Sequence, residues 1–159
     1  RPPKLKMQPL SPSMVVDMAL QLLRHRLKSY DVTVTVDRAQ ALPDVTVDPE
    51  QLKEVLVNLI INACEAMGNG GRITIREAMA PEAGGETAII QIFDNGPGIP
   101  EHLADKVFQP FFTTKEEGTG LGLSIVERII NEHGGRIRLE PKEGMGASFV
   151  ITLPVIRKR

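Results

Sequence analysis

The sequence is poor in aromatic residues and has no excess of positive charge. Its 159 residues include no Trp, one Tyr and five Phe, too few for a platform on which single-stranded bases stack. Lys and Arg together number 19 and Asp and Glu 20, which gives a net charge of −1. Nucleic-acid-binding domains usually carry a basic surplus. We therefore expect no nucleic-acid partner.

Cysteine and long apolar runs are also scarce. The single cysteine, Cys64, excludes an internal disulfide and a metal cluster held by several thiolates. It lies in an apolar helical pattern, so we expect a small core residue in a reducing compartment. No apolar run approaches the roughly 18 residues of a membrane span, and no signal peptide is found. The start at Arg1 rather than Met suggests a piece of a longer protein. We expect this domain to be cytoplasmic, with any membrane anchor in other parts of the full-length protein.

The remaining composition, 42% hydrophobic and 25% charged, suits one compact domain. Residues 1–12 hold four of the twelve prolines and are expected to be a linker or arm before a domain over residues 13–156. The mixture of helices and antiparallel hairpins predicts an α+β two-layer sandwich. The patterns predict helices at 13–28, 48–67, 100–108 and 119–132, and strands at 32–36, 72–78, 87–93, 136–140 and 147–153.

The helix expected over residues 48–67 carries polar side chains on one face. An N-capping Asp48 followed by proline marks its start. Asn58, Asn62 and Glu65 lie at i, i+4 and i+7 within an otherwise apolar run. Buried amides need hydrogen-bond partners. The two asparagines either cap the backbone of a neighbouring loop or direct amide oxygens at a hard cation such as Mg²⁺.

Two glycine-containing loops are candidate ligand sites. Residues 94–100, Asp-Asn-Gly-Pro-Gly-Ile-Pro, follow a predicted strand, and Gly96 and Gly98 would let a flat ligand approach the backbone. An ordinary turn is the alternative. Residues 118–124, Gly-Thr-Gly-Leu-Gly-Leu-Ser, open the last helix, where free amide groups form a general anion site. The second loop is neither a Walker loop nor a Rossmann fingerprint.

Between these loops, residues 108–117 read Phe-Gln-Pro-Phe-Phe-Thr-Thr-Lys-Glu-Glu and hold three of the five phenylalanines. The phenylalanines could anchor the root of a mobile flap. Thr113, Thr114 and Lys115 could reach phosphates from it, although Lys115 alone would more often be a solvated surface residue.

The order and content of these four motifs resemble the N, G1, F and G2 boxes of sensor histidine kinases. That family belongs to the GHKL superfamily, whose ATP-binding domain has the Bergerat fold, with a mixed, largely antiparallel sheet packed against helices. The resemblance covers almost all of residues 13–154, and the Phe-Phe-Thr-Thr-Lys segment is similar to the nitrogen-regulation-like branch. The matching segments are Asn58 to Ala63, Asp94 to Gly98, Phe108 to Phe112 and Gly118 to Leu123.

The resemblance implies which residues bind Mg²⁺ and ATP. Asp94 should accept a hydrogen bond from the adenine amino group, and Asn62 should hold Mg²⁺ with Asn58 beside it. Residues 108–119 should form an ATP lid. The implied catalytic residues are Asn58, Asn62 and Lys115. The implied ATP-binding residues are Asn58, Asn62, Asp94, Gly96, Gly98, Ile99, Thr113, Thr114, Lys115, Gly118, Thr119, Gly120, Leu121, Gly122 and Leu123.

Two positions depart from relatives in the superfamily. Glu65 stands where family members often carry a phosphate-contacting Lys, and we expect Lys115 to supply that charge. Asn58 stands where the gyrase, mismatch-repair and chaperone ATPases carry a water-activating Glu. An amide cannot take a proton from water, so slow hydrolysis and transfer to another acceptor are expected.

None of the three histidines lies in the His-Glu or His-Asp motif of a phosphoacceptor. His25 is expected to be a cation at a helix end, His102 an exposed helix residue and His133 a turn residue. The resemblance therefore implies a catalytic domain that transfers the γ-phosphate to a histidine on a separate helical dimerisation domain, with a response regulator receiver domain downstream. The first predicted helix could contact the helical domain.

Other functions remain compatible with the same boxes. One alternative is a GHKL ATPase driven through conformational changes. A second is a serine kinase of the anti-sigma type or a relative of the mitochondrial dehydrogenase kinases. A third is a nucleotide-sensing interaction module that binds ATP without transferring phosphate.

Overall fold

The computed structural model describes residues 4–82, 85–110, 122–141 and 146–156. A short 3-10 helix occupies Glu101–Leu103. The other elements, in chain order, are β1 (Gln8–Leu10), α1 (Pro12–Ser29), β2 (Val32–Asp37), β3 (Val45–Val47), α2 (Pro49–Met67), β4 (Gly71–Glu82), β5 (Gly85–Asp94), α3 (Gly122–Glu132), β6 (Arg136–Pro141) and β7 (Ala147–Pro154).

The main sheet has five strands in the order β2-β4-β5-β7-β6. Strands β2 and β4 run parallel and the other neighbours run antiparallel, which confirms the predicted mixed, largely antiparallel sheet. The helices cover one face in matching order, since α1 contacts β2, α2 contacts β4 and β5, and α3 contacts β6. Alternate residues of the strands, such as Ile73 and Ile75 of β4, are buried beneath them. The two-layer α+β prediction is confirmed.

A second, two-stranded sheet was not predicted. Strand β1 pairs antiparallel with β3, and Val45 also forms a bridge to Val155. Residues 8–10 lie in the segment that the prolines marked as an arm, so part of that segment is ordered against the domain. Strands of three residues are too short to show an alternating pattern, and Pro9 discourages a strand assignment.

The first two helices begin where their sequences signal a start. Ser11 caps α1 by accepting a hydrogen bond from the Ser13 amide (3.2 Å), and Asp48 caps α2 through the amides of Glu50 (3.1 Å) and Gln51 (3.2 Å). Each cap is followed by proline at the first helical position, where its missing N–H costs no hydrogen bond.

The helix predicted over residues 100–108 is wrong beyond its first turn. Only Glu101–Leu103 are helical, in a 3-10 conformation, and turns follow. The backbone bonds here join residues three apart, as in Leu103 N–H to Pro100 O (2.9 Å) and Gln109 N–H to Lys106 O (3.0 Å). Such bonds close tighter rings than those of an α-helix, and they rarely extend over a long run.

A buried ionic cluster ties the start of α1 to the sheet. Glu77, on the core face of β4, has a fully buried side chain. Its carboxylate accepts hydrogen bonds from the Ser13 hydroxyl and from Arg38 Nε (2.8 Å) and Nη2 (2.6 Å). Arg38 also donates to Asp17 (2.9 Å), and its bonds to the two carboxylates raise the pKa of Arg38. The cluster fixes the loop after β2 against α1.

Among the described helices, none combines the length and the apolarity that crossing a bilayer demands.

Candidate functional site

The polar face predicted for α2 is present in the structure. Asn58 and Asn62 are half-buried, and the Asn62 amide Nδ2 donates a hydrogen bond to Asn58 Oδ1 (3.0 Å). Their spacing of four residues places them one turn apart on the same side of the helix. The two amides therefore partner each other. Glu65, one turn further on, is exposed.

The start of α3 lies directly against this amide pair. A Cβ placed on Gly122 would lie 3.1 Å from Asn58 Oδ1 and 3.2 Å from its Nδ2. Because such distances are tight for a Cβ, glycine allows the α3 backbone to approach Asn58 closely. The structure thus brings together two motifs that are more than sixty residues apart in the sequence. Leu123, the next residue, is half-buried.

A buried carboxylate stands at the end of β5. Asp94 is only 7% exposed, and its Oδ1 accepts hydrogen bonds from the amides of Gly96 (2.8 Å) and Ala147 (3.3 Å). Burial raises the pKa of Asp94, and the two hydrogen bonds oppose that rise. Among the described residues, no donor is bonded to Oδ2. Asp94 therefore retains acceptor capacity for a ligand.

The backbone packs closely around Asp94. A Cβ on Gly146 would overlap the carbonyl oxygen of Asp94, so only glycine permits this approach of the chain before β7. Gly146 also has a φ of 91°, in the left-handed region that favours glycine. Gly146 and Ala147 were not identified as site residues from the sequence. The resemblance to the kinase family included the closing Gly146-Ala147 segment but assigned no site role to either residue.

The loop after Asp94 is attached to its neighbours on both sides. Asn95 Oδ1 accepts a hydrogen bond from the Arg72 amide (2.8 Å) of β4. A Cβ on Gly96 would lie 2.9 Å from the Met67 side chain at the end of α2. The C-terminal end of α2 therefore contacts this loop, and the asparagine pair lies closer to the N-terminus of the same helix. Gly98, with φ 79°, and the half-buried Ile99 continue the loop.

His133 joins the two helices of the site. It lies in a turn, as predicted, but it is buried, and its Nε2 accepts a hydrogen bond from the Asp48 amide (3.0 Å). Its Nδ1 lies 2.7 Å from the Ile129 carbonyl oxygen, which assigns the proton to Nδ1. The end of α3 is thereby bonded to the start of α2. The sequence contained no signal for this contact.

The predicted lid begins among the described residues, at Phe108. Phe108 is half-buried and packs edge-on against Phe149, with ring centroids 6.0 Å apart at 80°. Its role as the root of a lid stays a prediction. The other lid and phosphate-loop predictions lie outside the described residues. These are Phe111, Phe112, Thr113, Thr114, Lys115, Gly118, Thr119, Gly120 and Leu121.

The described residues offer Mg²⁺ amide oxygens rather than a cluster of charged ligands. They contain no group of three or more His, Cys, Asp or Glu side chains placed to hold a metal. The polar groups of α2 beside Gly122 are instead amides. An amide oxygen is a hard, neutral ligand, which suits an ion that keeps several waters and takes its remaining ligands from phosphates. The donor chemistry fits Mg²⁺ bound together with a nucleotide.

Comparison with protein families defines the class of the chain. The model described as histidine kinase-, DNA gyrase B-, and HSP90-like ATPase matches residues 47–157. The chain therefore belongs to this family of ATP-binding domains. Its nucleotide is therefore ATP.

Similar proteins place the chain among the histidine kinases of that family. It is 37% identical over 159 residues to the sensor histidine kinase ZraS of Salmonella typhi, a match that covers all of this chain and 34% of the relative. Its fold superposes on the nucleotide-free catalytic domain of histidine kinase ThkA with a TM-score of 0.82, at 34% identity and over 94% and 96% of the two chains. The chain is a catalytic domain of the sensor histidine kinase type.

Another similar structure contains a kinase bound to a partner protein. Histidine kinase ThkA has been solved in complex with the response regulator protein TrrA, and this chain matches that kinase with a TM-score of 0.80 at 30% identity, over 96% of this chain and 42% of the other. The chain spans about a third of the length of the curated relatives named here.

Proposed function

We propose that this domain binds Mg·ATP and transfers the γ-phosphate to a histidine on a separate helical dimerisation domain. The observation that carries the proposal is the amide pair of Asn58 and Asn62 against the start of α3. Amides, rather than a carboxylate base, therefore lie against the start of α3 at Gly122. The domain would act in the cytoplasm, where ATP is available.

At the base-binding end of the site, Asp94 selects adenine. Its Oδ1 is bonded to two backbone amides, so Oδ2 is the oxygen that accepts a hydrogen bond from the adenine amino group. Guanine presents a carbonyl oxygen at the equivalent position, and two acceptors would then face each other without a proton. Gly96, Gly98 and Ile99 line the loop that the base approaches.

At the phosphate-binding end, Asn62 holds Mg²⁺ through its amide oxygen while Asn58 orients Asn62. When bound, Mg²⁺ neutralises charge on the transferred phosphoryl group. Thr113, Thr114 and Lys115, with the amides of the 118–123 segment, complete the phosphate site. These assignments rest on the resemblance to the family motifs.

Transfer to an external acceptor is favoured over hydrolysis because the amides cannot activate water. A hydrolytic enzyme needs a group that accepts a proton from the attacking water, and an amide is not such a base. The nucleophile is therefore supplied from outside the domain, as an imidazole nitrogen that needs no deprotonation. The domain contributes positioning and charge neutralisation.

The downstream partner is a response regulator receiver domain. The complex of ThkA with its response regulator supports this assignment, since the ThkA kinase shares the fold and 30% of the sequence. The helical phosphoacceptor domain would belong to the same full-length protein. Any membrane anchor would lie outside this domain.

The test is phosphotransfer from γ-labelled ATP with Mg²⁺ to a helical phosphoacceptor domain produced as a separate chain. We expect an acid-labile, alkali-stable phosphoprotein, the signature of phosphohistidine. Asn62→Ala should lower the transfer rate at least about 100-fold, because it removes the metal-binding amide. Gln40→Ala, which removes an exposed amide in the loop after β2, should leave the rate unchanged.

Two results would overturn the proposal. Release of inorganic phosphate at the same rate with and without the acceptor would indicate an ATPase. Tight ATP binding without turnover, in the presence of an acceptor that a known histidine kinase can phosphorylate, would indicate a nucleotide-sensing module.

A further inference from the structure

The outward face of α1 carries a line of exposed apolar side chains. Met14, Met18 and Leu22 are 54%, 39% and 60% exposed and follow one another at intervals of four residues. On an α-helix this spacing forms a continuous ridge about 12 Å long. We call these three residues the α1 ridge. The opposite face of the helix is already buried in the core, so the ridge is an additional apolar surface.

The ridge leads into a positively charged helix end. Arg24, Arg26 and Lys28 are all exposed, and among the described residues none of them forms a salt bridge. The one acidic residue of α1, Asp17, is already paired with Arg38 (2.9 Å). The C-terminal half of α1 therefore presents uncompensated positive charge beside the apolar ridge.

We propose that the α1 ridge and its basic end dock an amphipathic helix whose apolar stripe is flanked at one end by acidic residues, and that the helical phosphoacceptor domain supplies this helix. The proposal rests on the proposed function only for the identity of the partner. The docking proposal places the contact between this domain and the helical phosphoacceptor domain on a surface outside the nucleotide site.

The shape of the surface favours a helix as the occupant. A ridge of residues spaced by four fits the groove between side-chain rows of a second helix. Methionine adapts its side chain to different partners, which suits a contact that must form and break during a reaction cycle. The adjacent arginines and lysine complement acidic residues on that helix and discriminate against a basic partner.

Two other occupants fit less well. A second copy of the chain would bury three apolar side chains per subunit, which falls short of the roughly 1,000 Å² of a stable interface. A domain in the same polypeptide can use a small surface, because tethering raises its effective concentration. An anionic membrane would gain little, since the larger apolar face of α1 is inside the core and cannot insert.

The surface is close to the helix that carries the asparagine pair. Helices α1 and α2 pack together, and Arg26 lies near enough to Cys64 of α2 to influence its thiol. Burial raises the pKa of Cys64, and the charge of Arg26 opposes that rise. A helix docked on the basic end of α1 would therefore lie beside the half of α2 that contains Asn62.

The test is a heteronuclear NMR titration of the isotope-labelled chain with a helical phosphoacceptor domain produced separately. We expect shift changes along Met14 to Lys28. Met18→Ser/Leu22→Ser should weaken binding at least tenfold, and Arg24→Glu/Lys28→Glu about fivefold at low salt, with a smaller loss at high salt because exposed charges are screened. Matched controls are Met79→Ser and Arg136→Glu, which alter exposed residues on β4 and β6 and should not change the affinity.

The outcomes separate this proposal from the proposed function. Unchanged affinity in both double variants, or shift changes confined to other elements, would overturn the docking proposal. So would concentration-dependent shifts of α1 without a partner, which would indicate a second copy, or shifts on adding phosphatidylserine vesicles. Docking on α1 without formation of phosphohistidine would support this proposal and overturn the proposed function. Formation of phosphohistidine without docking on α1 would support the proposed function and overturn the docking proposal.

Discussion

Two buried carboxylates on adjacent strands of the sheet have different surroundings. Glu77 of β4 is bonded through both oxygens to the Arg38 guanidinium and also to the Ser13 hydroxyl. Asp94 of β5 is bonded through one oxygen to two backbone amides and has no described cationic partner. Both carboxylate oxygens of Glu77 accept hydrogen bonds within the fold. For Asp94, only Oδ1 accepts hydrogen bonds from described residues. A buried carboxylate that the fold leaves partly satisfied is the better candidate for ligand binding.

The same comparison separates stability from function. Burying a charge is costly unless that charge is paired and hydrogen-bonded. For Glu77, Arg38 offsets the cost, and the cluster stabilises the fold. For Asp94, burial raises the pKa, and among the described residues no cation is paired with its carboxylate. The two sites should therefore respond in opposite ways to substitution.

The largest expected effect is at the Glu77 cluster. Arg38→Met should lower the free energy of unfolding by about 3–5 kcal/mol, because it leaves the buried carboxylate of Glu77 without its cation. Urea denaturation measures this change. Arg138→Met is the matched control, since the pair of Arg138 with Glu140 is exposed and should contribute less than about 1 kcal/mol. Equal losses in the two variants would contradict the structural role of the cluster.

The second prediction concerns ligand binding at the other carboxylate. Asp94→Asn keeps an acceptor for Gly96 and Ala147 but can present an N–H to the adenine amino group, so donor meets donor. We expect affinity for a non-hydrolysable ATP analogue with Mg²⁺ to fall about 100-fold, or about 2.7 kcal/mol, without loss of stability. Calorimetric titration measures the affinity, with Asp37→Asn, at an exposed position, as control. Wild-type affinity for GTP equal to that for ATP would contradict the role of Asp94.

The smallest expected effect is the pH dependence that arises from Asp94. Because burial raises its pKa, Asp94 becomes protonated at a higher pH than an ordinary aspartate, and ATP affinity should fall as pH decreases through that pKa. The folded pKa lies above the unfolded one, so the stability contribution of Asp94 is present below the unfolded pKa and lost as pH rises through the folded pKa. Acidification should therefore weaken binding through Asp94 while favouring the folded state.

This pH effect can be isolated by comparing the wild type with Asp94→Asn. Between about pH 4 and 7, titrations and urea denaturation of the two proteins should differ by the contribution of Asp94, because every other titrating group is present in both. Parallel pH profiles in the two proteins would show that Asp94 does not titrate as its burial requires.

Much of the fold was predictable because its signals are local. The Asp48 cap followed by proline located the start of α2 correctly, and the apolar alternation located the five strands of the main sheet. The prediction failed over residues 8–10 and 101–108, where a three-residue strand pairs with a distant segment and a 3-10 turn replaces a helix. Pairings of short segments depend on tertiary contacts that a local pattern does not contain.

The candidate site was predictable to the extent that its residues lie in motifs. Asn58, Asn62 and Asp94 were proposed from spacing and from the resemblance to the kinase boxes, and the structure shows where they lie. The groups that hold them were not: Gly146 and Ala147 reach Asp94 from another strand, and His133 joins the two helices. Each of these contacts links residues more than fifty positions apart, and a single sequence gives no measure of such proximity.

The parallel pairing of β2 and β4 has a consequence for how the molecule assembles. Parallel neighbours cannot be joined by a tight turn, so the chain must return across the sheet between them. Helix α2 makes most of that return. The helix that bears the asparagine pair is therefore also the crossover connection of the sheet edge, and β2 can join β4 only after that long loop has closed. The same connection thus carries two of the proposed site residues, Asn58 and Asn62, and links the two parallel strands.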